Sequence, residues 1–134
     1  MASRYPLIVD SSSAQIKEIP AGDHLIVESA VGIVTTLTDA ATVAIDFSKG
    51  NNFSLTLGGN RTLGNPSNAV AGQSGYIAIT QDSTGSRTLS YSNNWSFASG
   101  SPPTLTVGAG KTDLLAYYAQ TSTQIIADVI LDVN

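Results

Sequence analysis

"ATVAIDFSKGNNFSLTL", residues 41–57, decides the fold class. Val43, Ile45 and Phe47 alternate with Ala44 and Asp46. Phe53, Leu55 and Leu57 alternate with Ser54 and Thr56. A period of two is the signature of a half-buried strand. Between the two runs lies "SKGNN", residues 48–52, dense in turn-forming residues. The pair reads as a β-hairpin with a longish loop.

The same pattern continues outward. "GYIAITQ" (75–81) and "RTLSYS" (87–92) flank the turn cluster "DSTGS". "TLTV" (104–107) and "TDLLAYYAQ" (112–120) flank "GAGK", and "QIIADVIL" (124–131) follows "TST". Short strands at this spacing predict an all-β chain, an antiparallel β-sandwich or jelly-roll-like barrel. The last two segments do not read as a helix. Thr121-Ser122-Thr123 interrupts them, and Val and Ile crowd the second half.

These last strands are apolar on both faces. Leu115, Tyr117 and Ala119 oppose Leu114, Ala116 and Tyr118; Ile125, Ala127, Val129 and Leu131 oppose Ile126 and Ile130. A strand at a free surface is polar on one side. Such strands are covered either by another layer of the core or by a neighbouring subunit. Upstream, residues 1–40 hold short apolar runs separated by Pro6, Pro20 and Gly22. They are too short for a core of their own. The expected organisation is an extended N-terminal arm with one or two strands over 1–40 and a β-sandwich module over 41–134.

Composition narrows the function classes. The chain has 134 residues and no cysteine, so disulfides and thiolate metal sites are excluded. A net charge of −4, with six scattered cations, argues against nucleic acid. Only 12% of residues are charged, while Ser and Thr fill 31 positions. That suits an extracellular or virion β-protein, or a chain that hides surface in an assembly. No stretch is apolar and long enough for a membrane helix, and the N-terminus does not read as a signal peptide.

Each chemical motif in the sequence has a plainer reading. "VGAGKTD" (107–113) ends like a phosphate-binding loop, in Gly110-Lys111-Thr112. The first glycine of that pattern would fall at 105, which is Leu, and a strand follows where a helix is required. It reads as a turn. "GGNRTLG" (58–64) also reads as a turn. His24 is the single histidine, and adjacent Asp23 would point to the opposite face of a strand. Among the acids, Asp46 and Asp128 stand out because they fall within apolar strands; a structural ion pair or partial exposure is the expected role. The other acids lie in loops or at strand ends, where they are solvated. No calcium loop and no histidine cluster occurs. No catalytic, cofactor or metal site is expected. Tyr91, Trp95 and Phe97 in "YSNNWSF" can plug the end of a sandwich, meet a partner or stack on a glycan.

Beyond these readings, "RYPLIVD" (4–10) and "QIKEIPAGDHL" (15–25) resemble the opening of tail-fibre-like and other virion structural proteins of marine cyanophages. Residues 41–63, 71–91 and 103–129 resemble a β-rich module of phage virion proteins. The resemblance implies a non-enzymatic virion protein with no catalytic residues. The small size favours a capsid decoration, or cement, protein. A tail-fibre or tail-adaptor component is the alternative, and a carbohydrate-binding module is a third. The implied partners are capsid or other virion proteins and, as a homotrimer, two copies of the chain. The candidate interface residues are Tyr5, Leu7, Ile8, Val9, Ile16, Ile19, Leu115, Tyr117, Tyr118, Ile126 and Ile130. No cofactor, nucleic acid or membrane is expected.

Overall fold

The computed structural model describes residues 7–10, 15–18 and 29–134, with side chains from 29 onward. The chain divides into two compact units, residues 1–31 and 32–134. In the first, β1 (Leu7–Asp10) pairs antiparallel with β2 (Gln15–Glu18), Val9 opposite Ile16. The second unit begins earlier than the sequence reading had it. Its first strand, β3 (Val34–Thr36), lies within the segment assigned to the arm.

The second unit is strand-rich. It contains β4 (Thr42–Val43), β5 (Asn52–Leu57), β6 (Arg61–Leu63), β7 (Ser74–Gln81), β8 (Leu89–Tyr91), β9 (Trp95–Ser96), β10 (Thr112–Thr121) and β11 (Gln124–Ile130). Six strands form a mixed sheet in the order β3-β5-β7-β10-β11-β9, and β4-β6-β8 form a second sheet. Helix is confined, among the described residues, to two short 3-10 turns at Phe47–Lys49 and Ala98–Gly100.

The expected antiparallel architecture is corrected by the pairing. β3–β5, β5–β7, β4–β6, β6–β8 and β9–β11 are all parallel. Parallel neighbours cannot be joined by a tight hairpin and need a crossover. In the first four pairs the crossover is a strand of the other sheet, whereas β9 and β11 are joined through β10 of their own sheet. The chain runs β3 to β4, β5 to β6 and β7 to β8, completing three coils. The predicted hairpin of 41–57 is therefore absent: β4 and β5 belong to different sheets. "SKGNN" and "GGN" are corners that carry the chain from one sheet to the other.

Coiling aligns like with like. Phe53 lies beside Ile77, and Ile77 beside Leu115; Leu55 lies beside Ile79. In the second sheet Val43, Leu63 and Tyr91 are in register. The inward residues of both sheets fill one core, together with Ile45, Phe47, Trp95, Ala119 and Ile125. Phe47 stacks on Tyr117 at 4.6 Å, and Trp95 meets both rings edge-on at 6.3 and 6.4 Å. The period-two reading of 41–57 thus identifies the core residues correctly: Val43, Ile45, Phe47, Phe53, Leu55 and Leu57 are all buried.

The one hairpin of the module is β10–β11, laid antiparallel against β7. The segment 104–107, expected as a strand, has no strand pairing. One backbone bond, from the Ser86 amide to the Val107 carbonyl (2.8 Å), and two side chains hold it instead. The Thr106 amide donates to Asp113 Oδ2 (2.7 Å), and Gln81 Nε2 donates to the Thr106 carbonyl (2.9 Å). Leu105 enters the core.

Candidate functional site: an apolar sheet face

The alternation within β10 and β11 sorts the candidate interface residues into two groups. Leu115 and Tyr117 face inward and are buried, at 0% and 4% exposure. They are core residues, and their assignment to an interface is corrected. Tyr118, Ile126 and Ile130 point outward, 47%, 46% and 54% exposed. Tyr5 and Ile19 lie outside the described residues. Leu7, Ile8, Val9 and Ile16 are described in backbone only, as parts of β1 and β2.

Register assembles the outward residues into rows across the sheet. Ser74, Tyr118, Ile126 and Ser96 form one row. Tyr76, Ala116 and Asp128 form the next, and Ala78, Leu114 and Ile130 a third. The strand edge β9 ends at Ser96, and the chain beyond it forms a wall. The result is a groove of about 600 Å³ lined by Phe97, Ala98, Ala116, Tyr118, Ile126 and Asp128. Tyr76 was missed as a member of this face. The signal was present, since Tyr76 alternates with Ile77 and Ile79 and must oppose them.

Asp128 is the charged residue of these rows. It is exposed, and among the described residues its carboxylate accepts one hydrogen bond, from the amide of Val129 (2.9 Å). No ion pair to it occurs among the described residues. Asp46, the other acid singled out, is half-buried. It accepts from Asn68 Nδ2 (2.8 Å) and the Ser48 amide (2.9 Å), and these donors hold its carboxyl below the usual carboxylate range. It caps the 3-10 turn at Phe47–Lys49.

Asp113 corrects the expectation that the remaining acids are simply solvated. It is buried within β10 and accepts the amides of Thr106 and Asp132 (2.7 and 2.8 Å). Buried acids persist where such donors compensate for lost water. Arg61 grips Asp39 through two hydrogen bonds of 2.7 and 2.6 Å. Arg87 grips Asp82, and that pairing holds the Asp82 carboxyl down at about 2. These pairs lie at the corners of the coils and lock them.

"VGAGKTD" is a turn. Gly110 has φ +70, its amide donates to the Asp82 carbonyl (3.1 Å), and β10 starts at Thr112. Lys111 is bound to Asp132 Oδ1 (2.8 Å) and the Asn134 carbonyl (2.7 Å). Among the described residues no group of three His, Cys, Asp or Glu could hold a metal ion. No helix among them is long and apolar enough to cross a membrane.

The aromatic cluster divides as well. Trp95 is 7% exposed, and its Nε1 donates to the Gly64 carbonyl (2.9 Å). The ring is mostly enclosed and offers a sugar little face to stack on, reaching the cavity beside Tyr91 and Phe97 only with its small exposed part. Tyr91 and Phe97 are half-buried, edge-to-face at 4.6 Å, and border a cavity of about 310 Å³ with Ser92, Asn93 and Pro102. Tyr91 Oη is buried with no hydrogen-bond partner among the described residues, and burial pushes its hydroxyl pKa far up.

Against known proteins, no family model matches this chain, and no curated protein or solved structure matches it either.

Proposed function

We propose that the chain is a non-enzymatic structural protein of a phage virion, a capsid decoration protein that works as a homo-oligomer, most simply a trimer. The observation that carries the assembly part is the outward face of β7, β10 and β11. A solvated sheet face is polar, yet this one presents Tyr76, Tyr118, Ile126 and Ile130 in adjoining rows. Isolated exposed apolar residues are ordinary, whereas a contiguous patch marks an interaction surface. The virion setting rests on the resemblance of residues 4–25 and of the module to cyanophage virion proteins. The two sheets sharing one core are read as a β-sandwich wound in coils.

Light scattering on the purified chain tests the assembly. A trimer is expected, and Ile126→Asp should shift it to monomer with an unchanged far-ultraviolet spectrum. A wild-type monomer at working concentration would overturn the reading. Labelling of intact particles separates decoration from a tail role: many copies over the head support decoration, few copies at one vertex support a tail-fibre or adaptor component.

A carbohydrate-binding reading is favoured by one observation, the cavity beside Tyr91 and Phe97 with its serine and asparagine side chains. Glycan binding abolished by Phe97→Ala, with assembly intact, would support it.

A further inference from the structure

The cavity of about 310 Å³ beside Tyr91 and Phe97 is lined without a single charged residue. We infer that it is a subsite for one uncharged pyranose ring of a glycan, held by Ser92, Asn93 and Ser96 against Phe97. This rests on the carbohydrate-binding reading and specifies which sugars the site takes.

Three observations lead there. First, the hydrogen-bonding groups are free, and the orientation of one is fixed. The Asn94 amide donates to Asn65 Oδ1 (3.0 Å), which settles how the Asn65 carboxamide lies. Its Nδ2 then donates to Asn93 Oδ1 (2.8 Å). The Nδ2 of Asn93 is left as a donor with no partner among the described residues. The hydroxyls of Ser92 and Ser96 have none among them either. Serine hydroxyls donate and accept, and the carboxamide nitrogen donates. The hydroxyls of a sugar do both.

Second, the apolar part of the lining is ring carbon. Tyr91 and Phe97 meet edge to face at 4.6 Å, and Pro102 extends the wall. Tyr91 Oη is buried, so this residue gives the cavity its ring and not its hydroxyl. A pyranose has a C–H face and a rim of hydroxyls. An aromatic surface flanked by hydroxyl and amide groups is its complement.

Third, charge and size select among sugars. An acidic or phosphorylated sugar would lose water from its charge here and gain no counter-charge. Ligand cavities run from about 300 to 1,000 Å³, so this small one takes one ring rather than a chain. Ser96 and Phe97 also border the apolar groove. An oligomer would carry several such subsites, and avidity would multiply a weak single contact.

Saturation-transfer NMR and the fluorescence of Trp95, the single tryptophan, test this on the full chain. The probes are the methyl glycosides of glucose, galactose, mannose and rhamnose, set against methyl glucuronide and glucose 6-phosphate. At least one neutral glycoside should bind saturably, with the charged probes at least tenfold weaker. Asn93→Ala and Ser92→Ala should each weaken it about three- to tenfold, with unchanged far-ultraviolet spectra. Asn65→Asp keeps the acceptor for the Asn94 amide and removes the donor to Asn93. It should turn the Asn93 carboxamide over, match the loss in Asn93→Ala, and add nothing in that background. A further loss there counts against the positioning of Asn93.

Two results overturn this inference alone. One is a charged probe that binds as well as the neutral ones. The other is neutral binding that survives Asn93→Ala and Ser92→Ala yet is lost in Phe97→Ala. Binding by none of the glycosides removes the carbohydrate-binding reading as well.

Discussion

At Gly75, β7 passes close beneath the corner that leads into β5. A Cβ there would be driven into the Asn51 carbonyl oxygen and would lie 2.9 Å from Tyr117 Oη. That hydroxyl donates to the same carbonyl (2.8 Å). Gly75→Ala should therefore cost about 3 kcal/mol or more, since the backbone has nowhere to move. The neighbouring Ser74→Ala should stay within about 0.5 kcal/mol. Urea denaturation of the two variants checks this. Asp82 governs part of the acid limb. Its folded pKa of about 2 lies below its ordinary 3.8, with Arg87 as the main cause. Its stabilisation is thus complete above the unfolded value and is lost as pH falls from about 4 through 2. Asp39 and Asp46 are lowered in the same direction. Asp82→Asn should flatten the fall in urea midpoint over that window and leave the slope near pH 7 unchanged. Trp95→Ala should cost about 3–5 kcal/mol through the cavity it opens beside the Phe47–Tyr117 stack.

Single elements were legible where burial alone writes the pattern. The alternation in 41–57 marks the correct inward residues. In 112–130 it marks strands apolar on both faces, and both features are present. What the sequence did not reveal was partner choice. A turn cluster such as "SKGNN" looks the same whether it reverses a strand or carries the chain to another sheet, because both need residues that bend. Only the pairing distinguishes them: Phe53 lies beside Thr35 and Ile77, not beside any residue of 43–47. The same blindness hid the division within the interface candidates. Leu115 and Tyr118 are equally apolar on paper, and the sheet's orientation alone decides which meets water. The segment 104–107 misled for a different reason. Its alternation is real, with Leu105 buried, but its backbone groups are met by Gln81 and Asp113 rather than by a ladder. Asp113→Asn should therefore loosen it, costing about 1–3 kcal/mol. Faster hydrogen exchange at Thr106 and Asp132, with the β10 amides still protected, is the expected signature.

For the whole molecule, coil order sets the order of opening. β7 and β10 have neighbours on both sides, whereas β3 and β4 each lie at one edge of their sheet. Local opening begins where ladders are shortest. Native-state exchange should be fastest at Val34–Thr36 and slowest at Ile77, Ile79 and Leu115. Equal protection across the six strands would show that the coils open as one unit. The margins of the large sheet carry a further consequence. Its outermost strands, β3 and β9, are three and two residues long. A flat, lengthy border is what lets sheets of separate molecules fuse end to end into fibrils, and abbreviated borders deny them a template. Growth without limit along the hydrogen-bonding direction is thereby discouraged. A sheet bordered this way can be crowded at high local density without offering its neighbours an edge to extend.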